Sequence, residues 1–156
     1  MEAVTKSKIK INTNIIMATS GNNKKLYVSV AGVHTAIGGE LSSSMTTNGV
    51  EIDISSKDSA WDEIIMGNKN WSCSASFVSN DTANGQQELL WDALVAGTIV
   101  NVFYGTITNG VALGKVGSAY VTNVDESSDK DAVVTKDITF KGSGVLGRTT
   151  TTTTGA

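Results

Sequence analysis

The 156-residue chain has no proline, one cysteine and one histidine. Each scarcity excludes something. Average usage of about 5% would give several prolines, and β proteins often set proline on edge strands, where its missing N–H blocks unwanted pairing. A chain without any leaves its strand edges able to pair, including with another copy of itself. The lone Cys73 rules out an intramolecular disulfide framework and suits a reducing compartment. The lone His34 lies in a glycine-flanked stretch, with no partners at the spacing of a catalytic triad or a zinc site. It reads as a loop histidine making ordinary hydrogen bonds. Charged residues make up 17% and the net charge is −3, so there is no basic footprint for tight nucleic-acid binding. No apolar run approaches the ~18 residues of a membrane span, and the stretch 9–16 is too broken by Asn and Thr for a signal peptide. These features point to a soluble protein made in a cytosol, with no membrane partner.

What the chain does have is glycine, 16 residues of it, with abundant Ser, Thr and Asn. That is the composition of a turn-dense all-β chain, and the length suits one domain. The organising stretch is 42–71. Asn48-Gly49 reads as a hairpin turn, because both residues tolerate positive φ. After it, Val50, Ile52 and Ile54 share one face while Glu51, Asp53 and Ser55 share the other. One face is then greasy, and the other is hydroxyl-coated and acidic. Residues 57–70 read as a long loop with a helical turn near 61–66. Trp71, Cys73, Ala75 and Phe77 alternate with serines, the pattern of a half-buried strand.

Elsewhere, strands are expected at 25–31, 98–104, 115–124 and 133–142, with Val134, Ile138 and Phe140 in the core. A further strand is expected near 8–15, beyond a basic start carrying Lys6, Lys8 and Lys10. Residues 85–96 form the one helix, capped by Asn84 with Gln87 as reciprocal partner and stopped by Gly97. Its stripe of Leu89, Leu90, Ala93 and Leu94 is flanked by a second of Trp91 and Val95, which suits burial on two sides. The fold class expected is mainly β: a β-sandwich or small barrel with one flanking helix and a long assembly hairpin or loop at about 40–70. Residues 1–23 form an arm that is basic at its start, 24–147 the domain, and 148–156 a threonine-rich disordered tail.

Chemistry is hard to find. Gly142–Gly147 matches the dinucleotide pattern GxGxxG, but no helix follows and no βαβ unit surrounds it. Gly110–Lys115 is one residue short of a phosphate-binding loop and lacks its Ser or Thr. The acidic turn 125–131 lacks the glycine and spacing of a calcium loop. Cys73 lies on the apolar side of its strand and reads as a small buried hydrophobe. No catalytic residue, metal site or cofactor is expected.

Several segments in order resemble the major tail tube proteins of long-tailed bacteriophages. They are Glu51–Asp58, Trp61–Gly67, Asn70–Ala75, the helix with its exit Gln87–Thr98, Gly117–Val124, and Asp137–Leu146. The resemblance covers about residues 24–147. It implies a β-sandwich with one helix, assembled as hexameric rings that stack into a hollow tube, the hairpins pairing edge to edge around a lumen through which DNA passes. It implies a virion protein without catalysis, assembled in the host cytoplasm beside tape-measure, tail-terminator and baseplate or initiator proteins.

Carboxylates repel phosphates, whereas binding DNA through counterion release needs Lys or Arg. Glu51 and Asp53, with Ser43 and Ser55, are therefore expected to face the lumen. Inter-subunit contacts are expected at Trp61, Trp91 and Val95, and from Lys6, Lys8 and Lys10 against an acidic surface of the next ring. The alternative is a β-sandwich module that binds a carbohydrate or host surface through Trp61, or decorates a virion.

Overall fold

The computed structural model describes residues 20–30, 33–81 and 85–149. A 3-10 turn, Gly21–Asn23, leads into β1 (Lys25–Val30), β2 (Val33–Ala36), β3 (Glu40–Asp53) and β4 (Ile64–Val78). Then come the helix α1 (Gln86–Ala96), β5 (Ile99–Thr108), β6 (Val111–Ser127) and β7 (Thr135–Thr149). All seven strands belong to one antiparallel sheet in the order β2-β1-β5-β6-β7-β4-β3.

The sheet does not close, but it folds over until its two halves meet. The amide of Leu26 in β1 donates to a carboxylate oxygen of Glu40 in β3 at 2.9 Å, although four strands stand between them in the sheet order. Leu26, Val28 and Val102 thereby face Trp71, Cys73, Ala75, Phe77, Ile138 and Phe140 across one core. Burial of each large side chain there contributes roughly 1.5–3 kcal/mol. Helix α1 packs on β6 and adds Leu90 and Ala93 to that core. It ends as its sequence predicts: Gly97 takes φ 66°, and the next amide, Thr98, donates back to Ala93 O at 3.1 Å.

Several elements differ from the sequence reading. Asn48-Gly49 is not a turn. Both residues lie inside β3, opposite Asn70 and Lys69, next to a register shift. The hairpin instead runs through all of β3 and β4, so its loop is 54–63, and the expected helical turn at 61–66 is the end of that loop and the start of β4. The Asn-Gly turn of this chain is Asn109-Gly110 between β5 and β6, with φ 50° and 77°, the positive pair that the tightest hairpins require. The expected His34 loop is strand β2, paired to β1 with His34 opposite Ser29. Gly85 is the residue at the helix N-cap. The start of the acidic turn is still strand, since β6 runs to Ser127. Strand β7 runs through Arg148 and Thr149, two residues into the expected tail. The basic arm, the strand expected near 8–15, Asn84 and residues 150–156 lie outside the described residues.

Candidate assembly surface

The β3–β4 hairpin has two halves of opposite character. In its root, Trp71, Cys73, Ala75 and Phe77 of β4 are buried. Beyond Trp71 the hairpin leaves the body, and Val50, Ile52, Ile54, Ile64, Ile65 and Met66 all stand exposed. Register explains how both sides become apolar. Ile52 lies opposite Ile65, while Glu51 and Asp53 lie opposite Met66 and Ile64, and directly opposed residues project to the same side. The acid-bearing side is thus half apolar. Exposed apolar surface of this extent marks an interaction site. Strand β3 is also the last in the sheet, so one edge of its 14 residues has no partner among the described residues.

The hairpin loop is ordered by its own serines. Ser55 Oγ accepts from the Glu63 amide at 2.9 Å, and Ile54 N donates to Glu63 O at 2.8 Å. Ser59 Oγ donates to Trp61 O at 2.9 Å. The Ser55 amide donates to Asp53 at 2.8 Å. Hydrogen bonds from Ser55, hydroxyl first and amide second, hold the Asp53 carboxyl below its ordinary range. The loop so formed presents Trp61 at 84% exposure.

Helix α1 carries the second apolar surface. With Leu90 and Ala93 turned inward, Leu89, Trp91 and Val95 remain exposed. Two polar residues fix the helix in place. The Gln87 side chain is buried and donates to Gly38 O and Val78 O at 2.8 and 2.9 Å, while accepting from the Asn80 amide at 3.0 Å. The capping bond expected between it and Asn84 lies outside the described residues. Lys136 of β7, 4% exposed, pairs with Glu88 of α1 at 2.7 Å, Asp81 at 3.3 Å and Glu126 of β6 at 3.5 Å. Burial lowers the Lys136 pKa. The hydrogen bonds from Glu88 and Asp81, with the charges of Glu88 and Glu126, outweigh that and raise it. Sequence reasoning missed Lys136, because its partners lie 10 to 55 positions away; the one signal was a lysine in phase with Val134, Ile138 and Phe140.

The expected site residues divide between these surfaces. Trp61 tips the hairpin, and Trp91 and Val95 stand exposed on α1. Glu51, Asp53 and Ser55 are exposed on the projecting hairpin. Ser43 is at the root: half-buried opposite Ala75, it donates to Glu40. The hydroxyl coat lies on the other side of the root, where Ser44 meets Ser74 at 3.1 Å and Ser76 donates to Asp137. Lys6, Lys8 and Lys10 lie outside the described residues. His34 stacks on Phe103 with ring centroids 4.3 Å apart, and its Nδ1 is buried without a hydrogen-bond partner among the described residues. Burial lowers its pKa. Burial also pushes the Cys73 thiol up to about 12, as suits a packed hydrophobe. Among the described residues, no three His, Cys, Asp or Glu side chains gather as a metal site, and no helix is long and apolar enough to cross a membrane.

Comparison with known proteins adds an independent line. The family described as phage tail tube protein matches residues 18–148. No curated protein matches in sequence. Among solved structures, the chain is similar to one in the virion of a native gene transfer agent particle, with TM-score 0.72 and 18% identity, covering 85% of this chain and 99% of that one. It is similar to one in the tail of an empty gene transfer agent particle, refined with C6 symmetry, with TM-score 0.73, 19% identity and coverage of 85% and 99%. It is also similar to the SPP1 tail tube, with TM-score 0.71, 14% identity and coverage of 86% and 82%. With the family match spanning nearly the whole sheet, the chain belongs to the phage tail tube protein family, as a structural component of the virion tail and not an enzyme.

Proposed function

We propose that six copies close a ring and that rings stack into a hollow tube through which double-stranded DNA passes. The observation that carries this is the projecting half of the β3–β4 hairpin. It exposes apolar side chains on both sides, and the β3 edge has no partner strand among the described residues. Such an edge without proline is a template for another strand. The C6 symmetry of the structurally similar gene transfer agent tail supports six as the ring number. Trp61, Trp91 and Val95 are the proposed inter-subunit contacts, and Lys6, Lys8 and Lys10 are proposed to add charge pairing with the next ring. Glu51, Asp53 and Ser55 are the proposed lumen face of the projecting half. A two-stranded ribbon twists more than a wide sheet, so this face need not follow the orientation of Ser43, which is committed to Glu40 at the root. Tape-measure, tail-terminator and baseplate or initiator proteins are the proposed tail partners, with assembly in the host cytoplasm.

Negative-stain electron microscopy of the purified protein over a range of concentrations tests the reading. Rings or hollow tubes of uniform width are expected. Dispersed monomers at every concentration would overturn it.

A further inference from the structure

At the end of the sandwich away from the hairpin loop, the sheet register lines up one row of side chains. Leu26 pairs with Tyr104, Tyr104 with Lys115, and Lys115 with Arg148. The row begins in the core at Leu26 and runs out to Lys115 and Arg148, which are exposed. Lys24 sits over the Tyr104 ring, 4.8 Å from its centre. Tyr104 and Lys24 line two adjoining cavities of about 330 and 590 Å³. The smaller adds Lys115 and Arg148, the larger Lys25 and Glu40.

The charge of this cleft is unbalanced. Among the described residues four cations line it against one carboxylate, and Glu40 is already accepting from the Leu26 amide and the Ser43 hydroxyl. Among the described residues, the ion pairs all belong to Lys136, so none neutralises the cleft. Lys115 directly opposite Arg148 is a like-charge cross-strand pair, which destabilises a sheet unless an anion lies against it.

The hairpin loop is the complement. It carries Asp58, Asp62 and Glu63 against Lys57, with Trp61 projecting between them. Its own cleft is out of reach. Glu40 lines the cleft and Asp53 precedes the loop, and 13 strand steps between them span roughly 43 Å. We infer that the acidic, Trp61-bearing hairpin loop of one copy docks in the basic Tyr104 cleft of another, the carboxylates answering Lys115 and Arg148 and the indole lying on Tyr104 and Leu113. This rests on the tube reading and says which two surfaces meet. The contact is head to tail, since loop and cleft are different parts of the chain, and such contacts give rings or filaments. The basic arm preceding Gly21 is a poor occupant, because Lys6, Lys8 and Lys10 share the sign of the cleft.

Charge reversal and rescue in the full-length chain test the inference, with wild-type assembly as reference and thermal unfolding of the unassembled protein as the control for folding. Lys115→Glu with Arg148→Glu is expected to raise the concentration needed for assembly about tenfold or more, because like charges brought together at an interface cost at least that much in affinity. Asp58→Lys with Asp62→Lys and Glu63→Lys is expected to do the same. Combining both sets in one chain is expected to restore assembly, and the neutral pair Lys115→Gln with Arg148→Gln to fall between. Reversed variants that assemble like wild type at low salt, or a combination no better than either set, would overturn the inference while leaving the tube reading intact. A Lys115→Glu, Arg148→Glu variant that assembles normally but loses retention of a short duplex DNA would also overturn it, assigning the cleft to phosphate. A wild-type chain that forms neither rings nor tubes is the separate failure of the tube reading.

Discussion

Gly142 lies flat beneath the indole of Trp71: a methyl group built on Gly142 would come 2.1 Å from the ring. The same indole donates from Nε1 to Gly144 O at 3.1 Å, and Gly144 takes φ 84°. The GxGxxG run is thus a seat for a tryptophan. Overpacked cores lose about 1–3 kcal/mol, and a clash with a rigid, buried ring puts Gly142→Ala at the upper end. Chemical denaturation should show that loss, while Gly147→Ala, whose added methyl meets only Val116 O at 3.7 Å, should cost far less.

Lys136 holds α1, β6 and β7 together through three carboxylates. Removing one partner of a buried ion pair costs about 3–5 kcal/mol. Because the three acids here are partly wet, Lys136→Met should fall at or below the low end. The pH dependence has a definite sign. The folded pKa is raised, so the stabilisation is full below the ordinary lysine value of about 10.4 and is lost as pH rises through the folded value. Thermal melts of wild type should therefore fall more steeply on the alkaline side than those of Lys136→Met.

Trp61 touches its own chain mainly through backbone bonds to Ser59. Substitutions at exposed sites of this kind stay within about ±0.5 kcal/mol in stability. Trp61→Ala should melt like wild type yet fail to assemble, or need a far higher concentration, in sedimentation. Val95→Asp on the exposed side of α1 should behave the same way.

Cysteine substitutions at Glu51 and Asp53 report on the lumen. Both thiols should react with a bulky maleimide in the unassembled protein and be protected in tubes, where such a reagent enters only from the ends. Equal reaction in both states would place these residues on the outside. Cys73 is buried, so it should not confuse the readout.

Elements with strong local or periodic signals were legible in the sequence. The helix and its Gly97 stop followed from local signals, and the strand from Trp71 to Phe77 from its alternation. Asn48-Gly49 was misread because a turn signal is local, whereas its strand is held by pairing with Asn70 and Lys69 some twenty positions on. The glycines flanking His34 read locally as a loop and hide a four-residue strand that is held by pairing with β1. Of the candidate assembly surface, pattern points to Trp61 and the outer side of α1, both of which are exposed. The Lys136 cluster and the row from Tyr104 to Arg148 were not, since both are created by register between strands remote in sequence.

The placement of loop and cleft at opposite ends of one 14-residue strand has a consequence for growth. A stack joined through them is polar: one terminus offers free hairpin loops and the other offers vacant clefts. The two termini then add subunits by different surfaces and at different rates. A single protein that plugs one of those surfaces can set where elongation begins, and a different one can set where it stops.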